Sequence, residues 1–448
     1  MKCIEDEIPF DVPEGWEWER LSNLASFSGG KTPSTSHMEY WDGDILWVTS
    51  KDMKSKYIIS SRLRLSTLGA EHMQTYQPNT LLLVTRSGIL RHSLPVSILK
   101  ECATINQDLK AIVLYMPQFA EYIYVCLKGM EAQLLLKYTK SGTTVENVNF
   151  DEFQKVLLPI APVQQIDRII SVANNATRLI SAVEDDKLTL SSYLTKAKSK
   201  ILDLAIRGKL VPQDLNDEPA SVLLERIRAE KEELIKQGKI KRNKKESIIF
   251  KGEDNSYYQQ TGNLMESISD WNLDNVPNSW TLCCLGELCD YGNCNNIEAN
   301  SISNNAWILD LEDIEKDTGK VIQKIRKSDR KFTSTKHSFI KGQVLYSKLR
   351  PYLNKVIIAD EDGFCTSEIL PLDFSYIVLP QYALYYFMSP TFLKYANRCS
   401  YGVKMPRLGT ADGKKAVFPL PPLKEQYKIN DSISRIFMQL DNVASAIL

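Results

Sequence analysis

Residues 166–204 read IDRIISVANNATRLISAVEDDKLTLSSYLTKAKSKILDL, and this stretch decides the fold. Its apolar residues recur at alternating steps of three and four, the spacing of a helix that packs lengthwise against another helix. At about 1.5 Å per residue, the predicted helix spans on the order of 57 Å. Gly208 and Pro212 supply its stop signals. The predicted seam consists of Ile166, Ile169, Ala173, Ala176, Ile180, Val183, Leu190, Leu194, Ala197, Ile201 and Leu204, interrupted at Lys187.

A second helix at the end of the chain repeats this seam. Subtracting 260 from its apolar positions gives 169, 173, 176, 180, 183 and 187, which follow the register of the first helix. Two long helices in one register are expected to pair with each other, and a near-two-fold repeat places them antiparallel. The apolar positions of the second helix are Ile429, Ile433, Ile436, Leu440, Val443 and Ile447.

The remainder of the chain is also repeated. The pentapeptide VPEGW at 12–16 recurs as VPNSW at 276–280, an offset of 264 residues. The segment LLPIAPVQQIDRII from Leu157 matches VFPLPPLKEQYKIN from Val417, an offset of 260 residues. Three further matches lie between these two in the same order, so the chain is two copies of a unit of about 260 residues.

Each copy opens with β-branched runs bounded by Gly, Pro and Asn, which predict short strands with interspersed helices. The predicted fold class is therefore α+β, with two strand-rich domains separated by two long antiparallel coiled-coil helices. The predicted divisions are a first domain at 1–160, the long helix with a shorter helix at 161–245, a linker at 246–270, a second domain at 271–420 and a shortened distal helix at 421–448.

Composition excludes few functions. The 448 residues carry 55 Lys and Arg against 55 Asp and Glu, so the net charge neither indicates nor excludes a nucleic-acid partner. The start of the chain lacks a signal-peptide pattern, and no apolar run approaches the length of a transmembrane helix. Nine scattered cysteines without a C-x-x-C pair indicate reduced thiols of a cytosolic protein. Cys283, Cys284, Cys289 and Cys294 cluster, but their spacing does not indicate a metal site.

The triplet Gly30-Lys31-Thr32 matches the end of a phosphate-binding P-loop. A complete motif needs a glycine at position 25, where this chain has Ala25, and a helix directly after the loop. The four histidines are not spaced as metal ligands, and no other catalytic signature is present. A carboxylate site dispersed along the sequence stays open.

Loops that differ between the copies carry basic, hydroxyl and aromatic side chains, which contact phosphates and base edges in DNA complexes. We predict these loops as DNA-binding surfaces. In the first copy the candidates are Lys31, Thr32, Ser34, Thr35, Arg86, Ser87, Lys140, Ser141 and Thr143. In the second copy they are Lys348, Arg350, Tyr352, Tyr401, Lys404 and Arg407.

Several motifs together carry a family resemblance. They are Pro13 with Trp16, the Gly29-Gly30-x-Thr32-Pro33 loop, the Ser141-Gly142-Thr143 loop, ILDLAIRGKLVPQDLNDEPASVLLERIRAEK at 201–231, Pro277 with Trp280, and PLPPLKEQYKI at 419–429. On these residues the chain resembles, over essentially its whole length, the DNA-specificity subunits of type I restriction-modification systems.

The resemblance implies a non-catalytic, cytoplasmic subunit whose two target-recognition domains each read one half of a split, asymmetric DNA sequence. It implies that the long helices set the spacer and dock methyltransferase subunits, and that a separate motor and nuclease subunit joins for restriction. S-adenosylmethionine, ATP and magnesium are then expected in those partners, with no cofactor in this chain. The second helix ends about 20 residues before the counterpart of the first, which puts the docking of one methyltransferase subunit in doubt.

Two other functions remain open from sequence alone. The Gly-Lys-Thr triplet and the unassigned carboxylates would suit an autonomous nucleotide-dependent or nuclease enzyme. The helical seam would suit a coiled-coil protein scaffold that does not bind DNA. The bases of the two half-sites cannot be predicted, because recognition depends on loop geometry and on DNA shape.

Overall fold

The computed structural model describes residues 5–140, 145–214, 216–238, 247–273, 275–374 and 377–447. The chain divides into two compact units, Met1–Glu184 and Asp185–Leu448. The division falls inside the long helix α6 (Val163–Ile206), which has 44 residues and exceeds the predicted helix slightly at both ends. The fold is mixed helix and strand, and α6 lies between two strand-rich domains along the chain, as the sequence predicts.

The first unit contains the first domain and the start of α6. Its described strands are β1 (Glu17–Arg20), β2 (Ala25–Gly29), β3 (Trp41–Val48), β4 (Tyr57–Ile58), β5 (Leu63–Leu65), β6 (Leu81–Val84), β7 (Arg86–Ser87), β8 (Val96–Leu99), β9 (Ala103–Ile105), β10 (Leu109–Leu114), β11 (Thr139–Lys140), β12 (Glu146–Val148) and β13 (Leu157–Ile160). Its shorter helices are α1 (Leu21–Leu24), α2 (Thr67–Ala70), α3 (Ala120–Gly129), α4 (Glu131–Tyr138) and α5 (Phe150–Phe153).

A five-stranded sheet in the order β2-β10-β6-β8-β4 forms the core of the first domain. Its central strand β6, Leu-Leu-Leu-Val, is buried on both faces, as is β8. Such strands read as continuous apolar runs because each face packs against another layer. Smaller sheets β5-β3-β9, β11-β12-β7 and β1-β13 surround this core.

The second unit contains the rest of α6 and the second domain. Its described strands are β14 (Ser247–Lys251), β15 (Tyr257–Thr261), β16 (Leu264–Ser267), β17 (Thr281–Cys284), β18 (Asn296–Ile297), β19 (Trp307–Leu309), β20 (Ile325–Arg326), β21 (Lys336–Phe339), β22 (Val344–Ser347), β23 (Val356–Ile358), β24 (Gly363–Cys365), β25 (Ile369–Leu372) and β26 (Val417–Leu420). Its helices are α7 (Ala220–Lys236), α8 (Leu285–Leu288), α9 (Pro380–Met388), α10 (Pro390–Cys399), α11 (Thr410–Lys415) and α12 (Leu423–Ile447).

The second domain again has a five-stranded sheet, in the order β18-β21-β24-β19-β20, together with the sheets β23-β22-β25 and β17-β26. Residues predicted as a linker instead form a three-stranded antiparallel sheet, β14-β15-β16. The side-chain amide of Gln259 in β15 donates to the carbonyl oxygen of Lys415 at 2.8 Å, and Ile249 in β14 is buried. Polar composition concealed these strands, because much of the sheet is exposed and only its inner face packs.

The two ends of each domain meet in the same way. β1 pairs antiparallel with β13, and β17 pairs antiparallel with β26. The indole N–H of Trp16 donates to Gln165 Oε1 at 3.1 Å, and that of Trp280 donates to Glu425 Oε2 at 2.9 Å. Each acceptor lies in the first turn of a long helix, so both copies are closed by one shared arrangement and the repeat is confirmed.

Within the second unit, the last part of α6 runs antiparallel to α12. Lys198 forms an ion pair with Asp441, whereas Gln213, farther along the chain, donates to Glu425 Oε1 at 2.6 Å near the start of α12. Ile429 and Ile433 of α12 belong to the same hydrophobic core as Leu202 of α6. The predicted antiparallel pairing is thus confirmed for this part of the helix.

The predicted seam is not buried along its whole length. Ile180 and Val183 are 61% and 56% exposed, since α6 packs on the first domain mainly through its first turns, where Ile166 is buried. Near the other end the buried positions are Leu202, Ala205 and Ile206, beside the predicted Leu204. There the helix packs on the second domain as well as on α12, which requires an apolar face wider than a coiled-coil seam.

The Gly-Lys-Leu-Val-Pro-Gln block joins α6 to the second domain. Gly208 has a positive φ of 68°, and a Cβ at this position would lie 2.4 Å from the Pro277 ring. Gln213 accepts a hydrogen bond from Ser279 Oγ at 3.0 Å while its amide donates to Glu425. Gly208 and Gln213 of this block therefore have structural roles, because they hold the end of α6 against the start of α12.

We predict that Glu425 makes the stability of the second unit depend on pH. Burial raises the pKa of its carboxyl, although Trp280 and Gln213 donate hydrogen bonds to it. A carboxyl with a raised folded-state pKa loses stabilising effect as pH increases from its unfolded value of about 4.3 through the folded value. Glu425→Gln should therefore gain stability relative to wild type over this interval, as measured by urea unfolding at successive pH values.

The pH dependence of the difference in unfolding free energy between wild type and Glu425→Gln isolates the effect of the Glu425 charge. The substitution also replaces one of the two acceptor oxygens, but that cost does not vary with pH. Gln165→Glu is the matched control, because it places a carboxyl at the equivalent position of the first copy. A difference in unfolding free energy that stays flat with pH would contradict the prediction for Glu425.

Candidate nucleic-acid interface

Three exposed polar residues form one row across the small sheet β11-β12-β7 of the first domain. Lys140 pairs with Asn147, and Asn147 pairs with Arg86. All three residues are exposed. Directly paired residues of neighbouring strands project to the same face of a sheet, with strands about 4.8 Å apart. The structure thus brings two predicted site residues, Arg86 and Lys140, together on either side of Asn147.

The second domain builds the same row from different side chains. Tyr401 bridges Arg407, and Arg407 bridges Leu349, in antiparallel pairs. The offsets from Lys140, Asn147 and Arg86 are 261, 260 and 263 residues, within the range of the sequence repeat. The backbone arrangement is therefore shared, but the exposure differs, because in the second row Tyr401 is exposed, Arg407 is half-buried and Leu349 is buried.

The same backbone contact positions one edge of each row. In the first domain the Thr85 amide donates to the carbonyl oxygen of Asp108 at 2.8 Å. In the second domain the Lys348 amide donates to the carbonyl oxygen of Glu368 at 3.0 Å. These bonds fix the strand that carries Arg86, or Leu349, beside the turn that follows β9 or β24.

The loop with the Gly-Lys-Thr triplet packs on this same turn. The Lys31 amide donates to the carbonyl oxygen of Ile105 at 3.0 Å, and the Thr32 hydroxyl donates to Gln107. A Cβ on Gly30 would lie 2.1 Å from the Ile105 oxygen, so only glycine permits this approach. The turn at 105–108 therefore places Lys31 and Thr32 at the same edge of the domain as Arg86.

This loop is not built as a P-loop. Within residues 5–140 the first α-helix after Lys31 is α2, which begins at Thr67. A P-loop instead needs a helix N-terminus directly after the triplet to bind phosphate. Of the other predicted residues here, Thr35 is exposed, and the carbonyl oxygen of Ser34 accepts from the indole of Trp41 at 3.3 Å.

Ser87 contributes mainly to local structure. Its hydroxyl accepts from the Ile89 amide at 3.4 Å and caps a short 3₁₀ turn. The side chain is half-buried, unlike that of its neighbour Arg86. Ser141 and Thr143, the other predicted residues of the first domain, lie outside the described residues.

Arg407 already has a partner inside the second domain. Its guanidinium forms hydrogen bonds with both carboxylate oxygens of Glu368, at 2.9 and 3.1 Å. These hydrogen bonds and the Glu368 charge raise the pKa of Arg407. The predicted DNA contact of Arg407 stays a prediction, and the structure shows in addition that this residue fastens one loop to another.

The other predicted residues of the second domain surround this anchor. The Arg350 amide donates to the carbonyl oxygen of Pro406 at 2.7 Å, and Arg350 has a positive φ of 50°. Lys348 is half-buried, whereas Tyr352, Tyr401 and Lys404 are exposed. The structure thus brings Lys348 and Arg350 beside the loop at 401–407, which carries Tyr401, Lys404 and Arg407, whereas Tyr352 lies in a short 3₁₀ turn (Pro351–Leu353).

Sequence reasoning missed Asn147 and Gln107. Asn147 became a candidate only through its pairing with Lys140 and Arg86, because strand register is not visible in a single sequence. Gln107 is identified by its contact with Thr32, a residue 75 positions away. In both cases the missing signal is a long-range contact.

The clustered cysteines have no metal partners among the described residues, where no group of three or more His, Cys, Asp or Glu could hold an ion. Cys283, Cys284 and Cys289 are buried. Burial raises the pKa of the Cys283 and Cys289 thiols. In the core these two thiols donate to the backbone oxygens of Phe418 and Leu285.

Comparison with known proteins fits two copies of one module. The family model described as the type I restriction modification DNA specificity domain matches residues 13–185 and 277–447. The chain belongs to this family. The two matched ranges contain both rows described above and both indole-to-helix hydrogen bonds.

Two individual relatives each align with only part of this chain. The specificity subunit of the type I restriction enzyme EcoR124I/EcoR124II from Escherichia coli is 27% identical over 172 residues, covering 38% of this chain and 43% of that protein. The EcoAI specificity subunit from Escherichia coli is 30% identical over 247 residues, covering 53% of this chain and 38% of that protein. The chain thus spans less than half the length of these curated relatives.

One solved structure shares the fold over almost the whole chain. It comes from work on complex assembly and conformational transition of the type I R-M system, and it is 15% identical with a TM-score of 0.55. The alignment covers 98% of this chain and 94% of that one. Separately, none of the helices in the described part of the chain has the length and apolar character that a membrane span requires.

We predict that Gly30→Ala displaces the loop at 30–34 from the turn at 105–108. The added methyl group would overlap two backbone carbonyl groups, which cannot yield without moving the turn. Overpacking of this kind costs about 1–3 kcal/mol. The Lys31 amide should then lose its bond to Ile105 and exchange its hydrogen faster, as measured by amide hydrogen exchange.

Gly88→Ala is the control for this substitution. A Cβ on Gly88 meets no atom within 4 Å, so its effect on stability should stay within about 0.5 kcal/mol. Protection of the Lys31 amide should be unchanged in this variant. Equal exchange in Gly30→Ala and wild type would show that the contact with Ile105 does not hold the loop.

Proposed function

We propose that this chain is the DNA sequence-recognition subunit of a type I restriction-modification complex. It reads a bipartite, asymmetric target, with one half-site for each strand-rich domain. The observation that carries the proposal is the cross-strand row found in both domains. A backbone frame that recurs with different side chains is what two half-sites of different sequence require.

The side chains of the first row suit DNA. Arg86 can bind guanine through two hydrogen bonds in the major groove, and Asn147 can bind adenine in the same way. Lys140 in the row and Lys31 on the neighbouring loop can neutralise backbone phosphates. The row therefore combines groups that position a duplex with groups that discriminate bases.

The proposal assigns the chemistry to other subunits. Methyltransferase subunits dock on the long helices and supply S-adenosylmethionine chemistry, and a restriction subunit supplies ATP- and magnesium-dependent translocation and cleavage. This chain contributes no catalytic residue and binds no membrane. Its long helices set the spacer between the half-sites, and the complex works on cytoplasmic DNA.

A methylation map tests the proposal. The chain is expressed together with the methyltransferase of its own system, and methylated adenines are located across a host genome. We expect one motif of two half-sites around a fixed spacer. Replacing residues 1–160 by those of a relative with another motif should change one half-site and leave the other unchanged. No split motif, or a swap that alters both halves, would refute it.

We further predict that Lys31 and Asn147 differ in what they contribute. Lys31→Ala should weaken binding to every duplex and lower the salt dependence of affinity by about one phosphate contact. Asn147→Ala should cost about 1–3 kcal/mol on the cognate site and relax one position of one half-site. Affinities measured at several salt concentrations, on cognate and singly altered duplexes, separate the two effects.

Leu136→Ala is a control, because it truncates a side chain of the first domain that is 89% exposed on α4. This variant should keep both affinity and motif. If Asn147→Ala weakened all duplexes equally, Asn147 would be a backbone contact. If Lys31→Ala left the salt dependence unchanged, the predicted phosphate contact would be absent.

A further inference from the structure

The loop at 401–407 in the second domain presents an apolar tip. Val403 is fully exposed, with a relative exposure of 102%, and Met405 is 44% exposed. Burial of exposed apolar surface by a partner stabilises the complex by about 25 cal/mol for each Å² removed from water. Single exposed apolar side chains are common on this chain, and what distinguishes these two is their place on the loop that carries Tyr401, Lys404 and Arg407, all predicted to bind DNA.

The base of this loop is held firmly. Tyr401 and Arg407 exchange backbone hydrogen bonds of 3.1 and 2.9 Å, which close the hairpin. Glu368 binds the Arg407 guanidinium through both oxygens, and the Arg350 amide donates to Pro406. Val403 is thus presented on a fixed base, which lowers the entropy lost when the tip meets a partner.

The charges around the tip select the class of partner. Lys404 lies between Val403 and Met405 and is exposed. Lys348 and Arg350 flank Leu349, the residue that bridges Arg407. Cations beside an apolar tip fit a polyanion with apolar groups inside its groove, and duplex DNA has that composition. The methyl group of thymine is the apolar feature of the major-groove edge.

We propose that Val403 and Met405 contact thymine methyl groups in the half-site of the second domain. The inference rests on the proposed function and adds the chemistry by which one domain discriminates. The first domain reads its half-site through the hydrogen-bonding row of Arg86, Asn147 and Lys140. In the equivalent row of the second domain Leu349 is buried and Arg407 is bound to Glu368, so we assign base discrimination in this domain to the exposed apolar tip.

Deoxyuridine tests the proposal, since it differs from thymidine in this duplex only by the missing methyl group. The full complex of this chain with its methyltransferase is assembled on cognate duplexes. Each thymine of the second half-site, in either strand, is replaced singly by deoxyuridine. We expect at least one replacement to weaken binding about four-fold, the effect of losing one buried carbon group.

The variants Val403→Ala and Met405→Ala complete the cycle. One of them should bind thymine and deoxyuridine duplexes equally, because the side chain that senses the methyl group is gone. Ile322→Ala removes a side chain that is 62% exposed elsewhere in the domain, and it should keep the full deoxyuridine effect. Since Val403 is fully exposed, its truncation leaves the core intact, and assembly with the methyltransferase verifies this.

The outcomes separate the two levels of inference. If the methylation map yields no split motif, the proposed function fails and this proposal fails with it. If the motif exists but its second half contains no A·T pair, or no deoxyuridine changes affinity, only the thymine contact is overturned. A deoxyuridine effect that persists in both alanine variants also overturns it, since another residue then senses the methyl group.

Discussion

Each copy of the repeat is closed by a strand pair and by a hydrogen bond from a tryptophan indole to the first turn of a long helix. Trp16 donates to Gln165, and Trp280 donates to Glu425. Each tryptophan directly precedes the first strand of the closing pair, and each acceptor follows the second strand of that pair. One bond therefore connects the beginning of the domain, its end and the helix that leaves it.

This closure frees the rest of the domain to vary. The strand pairs β1-β13 and β17-β26 and the indole contacts recur with the repeat, whereas the rows at the recognition edge carry unrelated side chains. A frame that is stabilised at its base can tolerate substitution at its loops, because the loops contribute little to the core. Change of specificity without change of fold follows from this division.

The sequence predicted what depends on periodicity and order. The repeat, the long helices, their antiparallel pairing in the second unit and the strand-rich domains were all predictable from spacing. The exposure of Ile180 and Val183 was not, because a heptad pattern identifies an apolar face without showing what covers each part of it. The sheet formed by β14 to β16 was missed because β14 has three adjacent apolar residues and β15 and β16 are largely polar, so no strand gives an alternating apolar signal.

The candidate interface was predictable only as a set of loops. The chemistry of Arg86 and Lys140 predicts DNA contacts, but their place in one row depends on the register of β7, β12 and β11, which a single sequence does not contain. The sequence predicts Arg407 as a DNA contact, whereas its bond to Glu368 joins residues 39 positions apart and is visible only in the structure. Side-chain type suggests a function, whereas the role of each residue depends on its neighbours in space.

The row of the first domain and the apolar tip of the second domain also differ in what they can discriminate. A row of Arg, Asn and Lys offers donors and acceptors whose loss leaves a buried polar group unpaired, so a wrong base is penalised strongly. In the proposed contact, an apolar tip beside an arginine held by Glu368 gains affinity through excluded water, and its discrimination is limited to the thymine methyl groups it meets. Under the proposed function, two domains of one fold read two half-sites by different physical means, and the composite target is asymmetric. Because mismatch costs add across separated positions, the weaker reader still multiplies the specificity of the stronger one.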